Sequence, residues 1–459
     1  SSPFQSPPPI GTWKGMASAI PAPARKKGSV LAPTTIQSLS HDTLCVLFSC
    51  LDILDLVRCS AVCNSWYLSS LPDNTKSSII KRSKLLQSLY LKQMRRSGRD
   101  VSSRSSDSLE ESMSAYLEEL ALERHRRALV NGSVVIDQWK GHSAGVNQCR
   151  MKMGMILTGV GDKVIRLWSS ESLKCVEEYP VPDAVRLLDF DFDETKVVGL
   201  FGTQLSIWRR NGKRSIFPSK EGTFSKGSCM RYFDPDAVVG CEDGTARVFD
   251  MYSRQCSRII KMHPEAVSCL SLGDDQLMIS GSSLGRITVS GLSLDEKIAT
   301  LKPTDSTGIS SLCFNPESSL VFCGTTAGYA SCWDLRKMRQ LWKRRVSPNV
   351  VYSMHHLRND SSVLVVGGID GILRVLDQDS GEVVSRYVMD NAAVPSSFEY
   401  AHGVGERRPG KRIPKDTQID GVSRNARPPI TCLAVGREKV VTTHNSRHIR
   451  LWTFKCRRD

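Results

Sequence analysis

The sequence predicts an α-helical N-terminal part, made of a three-helix domain and a helical linker, followed by an all-β part. Between about residues 36 and 132, apolar residues recur at helical spacings, whereas short β-branched and aromatic runs broken by Gly, Asp, Asn and Pro dominate beyond residue 132. These runs repeat about every 40 residues, and four strands per unit at that period are typical of propeller blades. We therefore expect a seven-bladed β-propeller closed by an N-terminal strand.

Composition limits the classes of function. The chain has 459 residues, of which 40% are apolar and 24% charged, as in ordinary globular proteins. A net charge of +15 suits nucleic acid, anionic membrane or acidic protein partners and selects none of them. No segment has 18 uncharged apolar residues, so we expect no membrane span. Fifteen cysteines without a CxxC pair or signal peptide indicate reduced thiols in the cytoplasm and/or nucleus.

The first 132 residues divide into three segments of different composition. Residues 1–35 hold seven prolines and no acidic residue, so they are predicted to be a disordered leader, and Met16 is a plausible natural start within it. An apolar segment follows at 36–72. Residues 73–132 read as a helical linker with a Ser-rich break at about 97–108. Its second helix should stop at Asn131-Gly132, a helix-ending pair.

The region 133–459 is built from repeats. Seven segments share a small-residue turn and an apolar strand: GDKVIRLW (161–168), GTQLSIW (202–208), EDGTARVFD (242–250), SLGRITVSG (283–291), TAGYASCWD (326–334), IDGILRVLD (369–377) and NSRHIRLW (445–452). The matching positions of the first six lie 40, 41, 40, 44 and 43 residues apart. The last interval is longer by about thirty residues, which a polar, basic insertion at about 392–428 accounts for. We expect that insertion to contain no strand.

The first repeat carries the most specific pattern. His142 follows a glycine, Asp162 stands six residues before Trp168, and Thr158 stands four before Asp162. The pattern resembles the WD40-repeat family over about 133–456. The resemblance implies that these four residues form a buried structural network, although hydroxyl, imidazole and carboxylate could be mistaken for a catalytic set. The strand SVVIDQW (133–139) has no blade of its own, so we expect it to be the outer strand of the last blade.

Other chemical motifs are weak. GVGERRPGKR (403–412) contains GxxxxGK, but Arg412 replaces the metal-binding hydroxyl, Pro409 interrupts the motif and Pro414 follows it, so no nucleotide site is predicted. The histidines and cysteines lack zinc-ligand spacing, and we expect no metal or cofactor. Residues 402–427 have seven Lys/Arg against three acids without interleaved aromatics, which favours a solvated loop over a nucleic-acid site.

The apolar segment contains LSHDTLCVLFSCLDILDLVRCSAVCNSWYLSSL (39–71), which reads as three short helices. So few residues cannot form a sufficient core alone, so their apolar surface must meet a partner, inside this chain or outside it. The ordered pattern resembles the F-box, with Ser40 and Ser65 departing from it. The resemblance implies binding to a Skp-type adaptor, which links to a cullin in an SCF ubiquitin ligase. The implied adaptor contacts are Leu44, Leu47, Phe48, Leu51, Leu56, Val62 and Trp66.

The implied function is a non-enzymatic substrate receptor whose propeller binds the target and whose linker helices act as a spacer. The residues near the start of each inner strand were compared as possible target contacts: Asn147, Arg186, Cys229, Ser268, Ser310, Tyr352 and Thr431. One arginine among seven does not favour a multi-arginine phosphate pocket, which leaves Arg186 and Tyr352 as candidate contacts. Two alternatives stay open: a WD-repeat scaffold without a ligase role, and a nucleic-acid or ribonucleoprotein partner bound through the basic insertion and tails.

Overall fold

The computed structural model describes residues 106–456 with short gaps, and the chain divides into two compact units, Ser1–Ser103 and Arg104–Asp459. The gaps are 160–162, 182–185, 211–224, 274–275, 293–296, 303–306, 391–395, 401–402, 415–416, 418–420, 422 and 425–426. The predicted leader, the adaptor-binding residues, the first linker helix and Asp162 therefore lie outside the described residues.

The described residues form one helix, α1 (Ser106–Asn131), and antiparallel strands. Five sheets are meanders: β2 (Gln148–Lys152), β3 (Met155–Gly159), β4 (Val164–Ser169) and β5 (Cys175–Pro180); β6 (Leu187–Phe192), β7 (Lys196–Phe201) and β8 (Gln204–Arg209); β9 (Gly227–Phe233), β10 (Asp236–Cys241), β11 (Thr245–Asp250) and β12 (Gln255–Lys261); β13 (Val267–Leu272), β14 (Leu277–Ser282), β15 (Ile287–Gly291) and β16 (Lys297–Leu301); β17 (Ile309–Asn315), β18 (Leu320–Thr325), β19 (Tyr329–Asp334) and β20 (Arg339–Arg345).

The sixth sheet has ten strands: β1 (Ser133–Lys140), β21 (Ser353–His355), β22 (Val363–Gly367), β23 (Leu373–Asp377), β24 (Val383–Met389), β25 (Ser396–Tyr400), β26 (Gly403–Arg412), β27 (Cys432–Gly436), β28 (Lys439–Thr443) and β29 (His448–Lys455). The first strand of each meander contacts the first strand of the next, in the order β2, β6, β9, β13, β17, β21, β27, and β27 returns to β2. The mostly-β, propeller-like ring predicted by the repeats is therefore present, with apolar side chains buried between its sheets.

The ring is completed by the strand that precedes the first repeat. β1 pairs antiparallel with β29 over eight residues, from Ser133 opposite Lys455 to Lys140 opposite His448. Its Val134 and Ile136 side chains are buried with Trp452 in one apolar cluster. SVVIDQW is thus the outer strand of the last meander, as the sequence predicts.

The expectation that the basic insertion contains no strand is wrong. It contributes β25 and β26, and β26 pairs with β1 through residues 405–409 and with β24 through residues 410–412. It therefore joins two meanders into one sheet, and it is extended, not curled into a phosphate-binding loop. The charge that suggested a solvated loop is partly neutralised in the sheet, because Arg407 Nε lies 2.7 Å from Asp137 Oδ1 on β1. The outer edges of β1 and β24 offer backbone groups that a polar strand can satisfy.

The C-terminal half of α1 packs on the ring where the ten-stranded sheet closes. Leu129 is fully buried, and its carbonyl accepts a hydrogen bond from the Tyr387 hydroxyl at 2.7 Å. The Val130 carbonyl accepts from Ser385 Oγ at 2.7 Å. These two groups satisfy carbonyls that a helix end leaves without an internal partner. On the same helix, the His125 Nδ1 accepts from the backbone N–H of Glu438 at 2.9 Å.

The end of α1 is set by Gly132. Its N–H donates to the Ala128 carbonyl at 2.9 Å. A Cβ at this position would lie 2.3 Å from the Ala128 oxygen and 2.7 Å from the Lys455 oxygen, which leaves no room for a side chain. The predicted stop at Asn131-Gly132 is confirmed, and it turns the chain directly from the helix into the closing strand.

We predict that Tyr387→Phe lowers the free energy of unfolding by about 1–2 kcal/mol, because the buried Leu129 carbonyl loses its donor. Urea denaturation of the full chain measures this. Tyr329→Phe is the control, because among the described residues the Tyr329 hydroxyl makes no hydrogen bond, and its effect should stay below about 0.5 kcal/mol. Equal effects of the two changes would contradict the capping role.

Candidate functional site

Three of the four residues assigned to the structural network come together. His142 Nε2 lies 2.8 Å from Thr158 Oγ1, and Trp168 Nε1 donates to the same oxygen at 2.9 Å. The Arg166 guanidinium, which can only donate, lies 3.0 Å from His142 Nδ1, so Nε2 carries the proton and donates to Thr158. Thr158 is fully buried, so its hydroxyl is not available to attack a substrate. Asp162 is outside the described residues.

Two similar networks were missed from the sequence. His263 Nε2 lies 2.8 Å from Ser280 Oγ, 17 residues later, close to the separation of 16 between His142 and Thr158, so this spacing was an available signal. In the last meander Trp452 Nε1 donates to Thr442 Oγ1 at 2.9 Å, and His444 Nε2 lies 2.9 Å from that hydroxyl. The spacing of 16 or 17 residues does not predict the role of His444, because His444 stands only two residues after its partner Thr442.

His263 and His444 are neutral at physiological pH. Burial lowers the pKa of His263 to about 4 and the pKa of His444 to about 3. Burial likewise lowers the pKa of His125, on the face of α1 that packs against the ring, to about 4. Since the unfolded chain takes up these protons near pH 6.5, the stabilisation is complete above that pH and is lost as the pH falls towards 4.

We predict that the free energy of unfolding falls between pH 6.5 and 4, and that His444→Asn makes this dependence shallower by up to about 1.4 kcal/mol per pH unit. The asparagine amide can still donate to the Pro429 carbonyl, which now lies 3.1 Å from His444 Nδ1. Urea denaturation at several pH values tests this. His448→Asn, at an exposed position, should change the slope less; an unchanged slope in His444→Asn would contradict the assignment.

The compared inner-strand positions divide into two groups. Ser268 Oγ donates to the Ile309 carbonyl and Ser310 Oγ to the Val351 carbonyl, each at 2.6 Å and each across to the next meander. Ser228 donates in the same way to Val267. The equivalent position in that strand is therefore Ser228, and the assignment of Cys229, which is buried, was one residue out of register. These hydroxyls connect neighbouring meanders.

Arg186 and Tyr352 differ from the serines. Arg186 is exposed immediately before β6, and Tyr352 is 38% exposed immediately before β21, so both lie on the face of the ring where the first strands begin. Neither side chain makes a hydrogen bond or ion pair with another described residue. They belong to non-adjacent meanders and form two separate points on that face, both open to a partner.

A charged cluster on three inner strands was not foreseen. Asp189 on β6 is 3% exposed, and it accepts from Arg150 at 2.7 Å and from the backbone N–H of Met230 at 2.9 Å. Two residues along, Asp191 lies 2.7 Å from Lys152. Burial disfavours the charge of Asp191, but Lys152 and Arg150 hold its pKa below the usual value. The alternation of RMK (150–152) against DFD (189–191) was the available signal.

The cluster also bears on whether arginines of the inner strands are available to bind a phosphate group. Arg150 on β2 and Arg231 on β9 both face Asp189, at 2.7 and 3.4 Å. Burial opposes the charge of Arg150, yet Asp189 holds its pKa above the usual value. These guanidinium groups thus have a carboxylate partner within the ring, and the cluster connects three neighbouring meanders.

We predict that Asp189→Asn lowers the free energy of unfolding by about 3–5 kcal/mol, because it leaves the half-buried arginines without their anion. Glu178→Gln is the matched control: Glu178 also pairs with an arginine at 2.7 Å, but its side chain is 51% exposed. That change should cost less than about 1 kcal/mol. Denaturant unfolding of both variants makes the comparison, and similar losses would refute the buried role of Asp189.

Metal and membrane sites were sought in the part of the chain that the structure describes. There, no group of three or more His, Cys, Asp or Glu side chains is placed to hold a metal ion. No helix in the same part is long and apolar enough to cross a membrane.

Comparison with known proteins identifies two domain types. The F-box domain family matches residues 36–70, and the WD domain, G-beta repeat family matches residues 133–169 and 295–334. An F-box/WD-40 repeat-containing protein of Arabidopsis thaliana is 53% identical over 92% of this chain and 95% of its own length. A target of rapamycin complex subunit of Mus musculus is 27% identical over 39% of this chain and 57% of its own length. Among solved structures, the computationally designed Ika8 protein covers 69% of this chain and 98% of its own, with a TM-score of 0.51 and 18% identity, which is a likeness of fold alone.

Proposed function

Because the chain belongs to the family of F-box/WD-40 repeat proteins, we propose that it is the substrate-recognition subunit of an SCF (Skp–cullin–F-box) ubiquitin ligase. F-box domains typically bind Skp-type adaptors, WD40 propellers bind targets, and such proteins are generally non-catalytic. The observation that carries the proposal is the F-box match at 36–70 ahead of the WD repeats, in an order shared with a relative along nearly the whole chain.

The docking of α1 supports this function. The helix follows the F-box in the sequence, and it is held on the ring by Tyr387, Ser385 and an ion pair of 2.6 Å between Arg124 and Glu438. A helix fixed at its C-terminal end fits the role of a spacer. A receptor of this kind acts by proximity, since it raises the local concentration of a target near the transfer machinery.

The proposal assigns residues to both interfaces. The adaptor would be contacted by the large apolar residues of three F-box helices: Leu44, Leu47, Phe48, Leu51, Leu56, Val62 and Trp66. The meanders of the ring would be seven blades, with Arg186 and Tyr352 contacting the target. The cysteines of the described residues are free thiols, which supports action in the reducing cytoplasm or nucleus.

We predict that the full chain binds a purified Skp-type adaptor and that the double change Leu47→Asp, Trp66→Ala weakens binding by at least about tenfold, because an apolar interface loses two anchors. A pull-down followed by titration measures this. The matched control is Leu284→Asp, Tyr352→Ala, which alters exposed residues of the ring in the same chemical way and should leave adaptor binding unchanged. A folded wild-type chain that does not bind the adaptor would refute the proposal.

A further inference from the structure

β20 is an unusually basic strand at the outer edge of its sheet. It is last in the order β17-β18-β19-β20, and among the described residues no strand pairs with its outer side. The hairpin that ends in it reads RKMRQLWKRR (336–345), with six cations and no acid in ten residues. By contrast β5, another outer strand, carries two glutamates. The outer strands β1 and β24 are covered by β26.

Three arginines of β20 have no carboxylate partner within the described part of the chain. Arg339, Arg344 and Arg345 are exposed, and none of them lies within 4.0 Å of a described carboxylate. The nearest acid in the sequence, Asp334 at the end of β19, pairs with the cations of the turn, with Arg336 at 3.8 Å and Lys337 at 4.0 Å. Charged side chains on an edge discourage pairing with a neutral or basic strand, whereas a row of arginines without carboxylate partners favours an acidic one.

The cations alternate between both faces of the strand. Arg345 pairs in register with Tyr329 and shares its face, where the guanidinium lies 5.9 Å from the ring centroid. Arg344 pairs with Ala330 and Arg339 with Asp334, which places both on the opposite face. Leu341 occupies the irregularity in register between them and is 37% exposed. A chain laid along the edge would therefore meet cations on both faces and one apolar contact.

We propose that β20 binds an extended acidic segment of a partner protein by strand addition. The free edge supplies backbone hydrogen bonds, and the arginines pair with cross-strand carboxylates. The same surface lacks stacking platforms for nucleic-acid bases, because the Tyr329 ring lies under Lys343 at 4.7 Å and Trp342 is buried with its Nε1 donating to the Gln378 carbonyl at 2.8 Å. This inference does not depend on the F-box.

The test uses the full chain and three labelled probes: a decapeptide of alternating Glu and Val, the same peptide with Pro in place of Val, and ten-nucleotide poly-uridine RNA. The variant is Arg339→Glu, Arg344→Glu, Arg345→Glu. The matched control, Lys174→Glu, Arg209→Glu, Lys302→Glu, makes the same charge change at exposed positions elsewhere on the ring. Thermal melts establish that both triple variants are folded, and Arg344→Glu alone replaces the triple variant if it is not.

We expect the Glu-Val peptide to bind the wild-type chain and to lose at least about tenfold in affinity in the β20 variant but less than about threefold in the control. The proline peptide has the same charge but cannot donate alternate backbone hydrogen bonds, so it should bind at least about tenfold more weakly. Equal losses in both triple variants, equal binding of the two peptides, preference for RNA or no peptide binding would each overturn the proposal.

Discussion

A ring of sheets is stable only if its last sheet is completed by a strand from the other end of the chain. Here that strand is β1, whose eight-residue pairing with β29 connects residues more than 300 positions apart. Long-range pairing of this kind must overcome the entropy of closing a very large loop, and the buried Ile136, Trp452 and Phe454 side chains offset it. The other features of the described region depend on this closure.

The position of α1 depends directly on the closure of the ring by β1. Gly132 leads from α1 directly into β1, so the direction of the closing strand also sets where the helix leaves the ring. The carbonyls of its last turn then meet Tyr387 and Ser385, which belong to the neighbouring meander. Loss of the pairing between β1 and β29 would therefore release α1 as well as β1. This coupling stiffens the connection between α1 and the ring, which would suit the receptor role that we propose.

Polar groups in this protein connect sheets and also remain at the surface for recognition. Asp189, the hydroxyls of Ser268 and Ser310, and the strand β26 all link meanders that apolar packing alone would leave free to slide. Each of these groups has a partner inside the ring. By contrast, the exposed side chain of Tyr352 and the exposed guanidinium groups of Arg186 and β20, which have no carboxylate partner among the described residues, are the surface groups that we propose bind another molecule.

The sequence alone determined the repeat period, the propeller-like architecture, the closing strand and the end of α1, because these follow from local periodicity and from helix-ending residues such as Gly132, which occupies a position with no room for a side chain. The resemblance of the N-terminal segment to the F-box and of the repeats to the WD40 family was also visible in the sequence alone. Only the tertiary structure decided that the basic segment 403–412 is a strand, that Asp189 and Asp191 face cations on adjacent strands, and that Ser228 and not Cys229 bridges two meanders. These outcomes depend on pairing across the ring, where the partner that neutralises a charge or accepts a hydrogen bond lies about 40 to 270 residues away, so the pattern within one segment alone does not identify it.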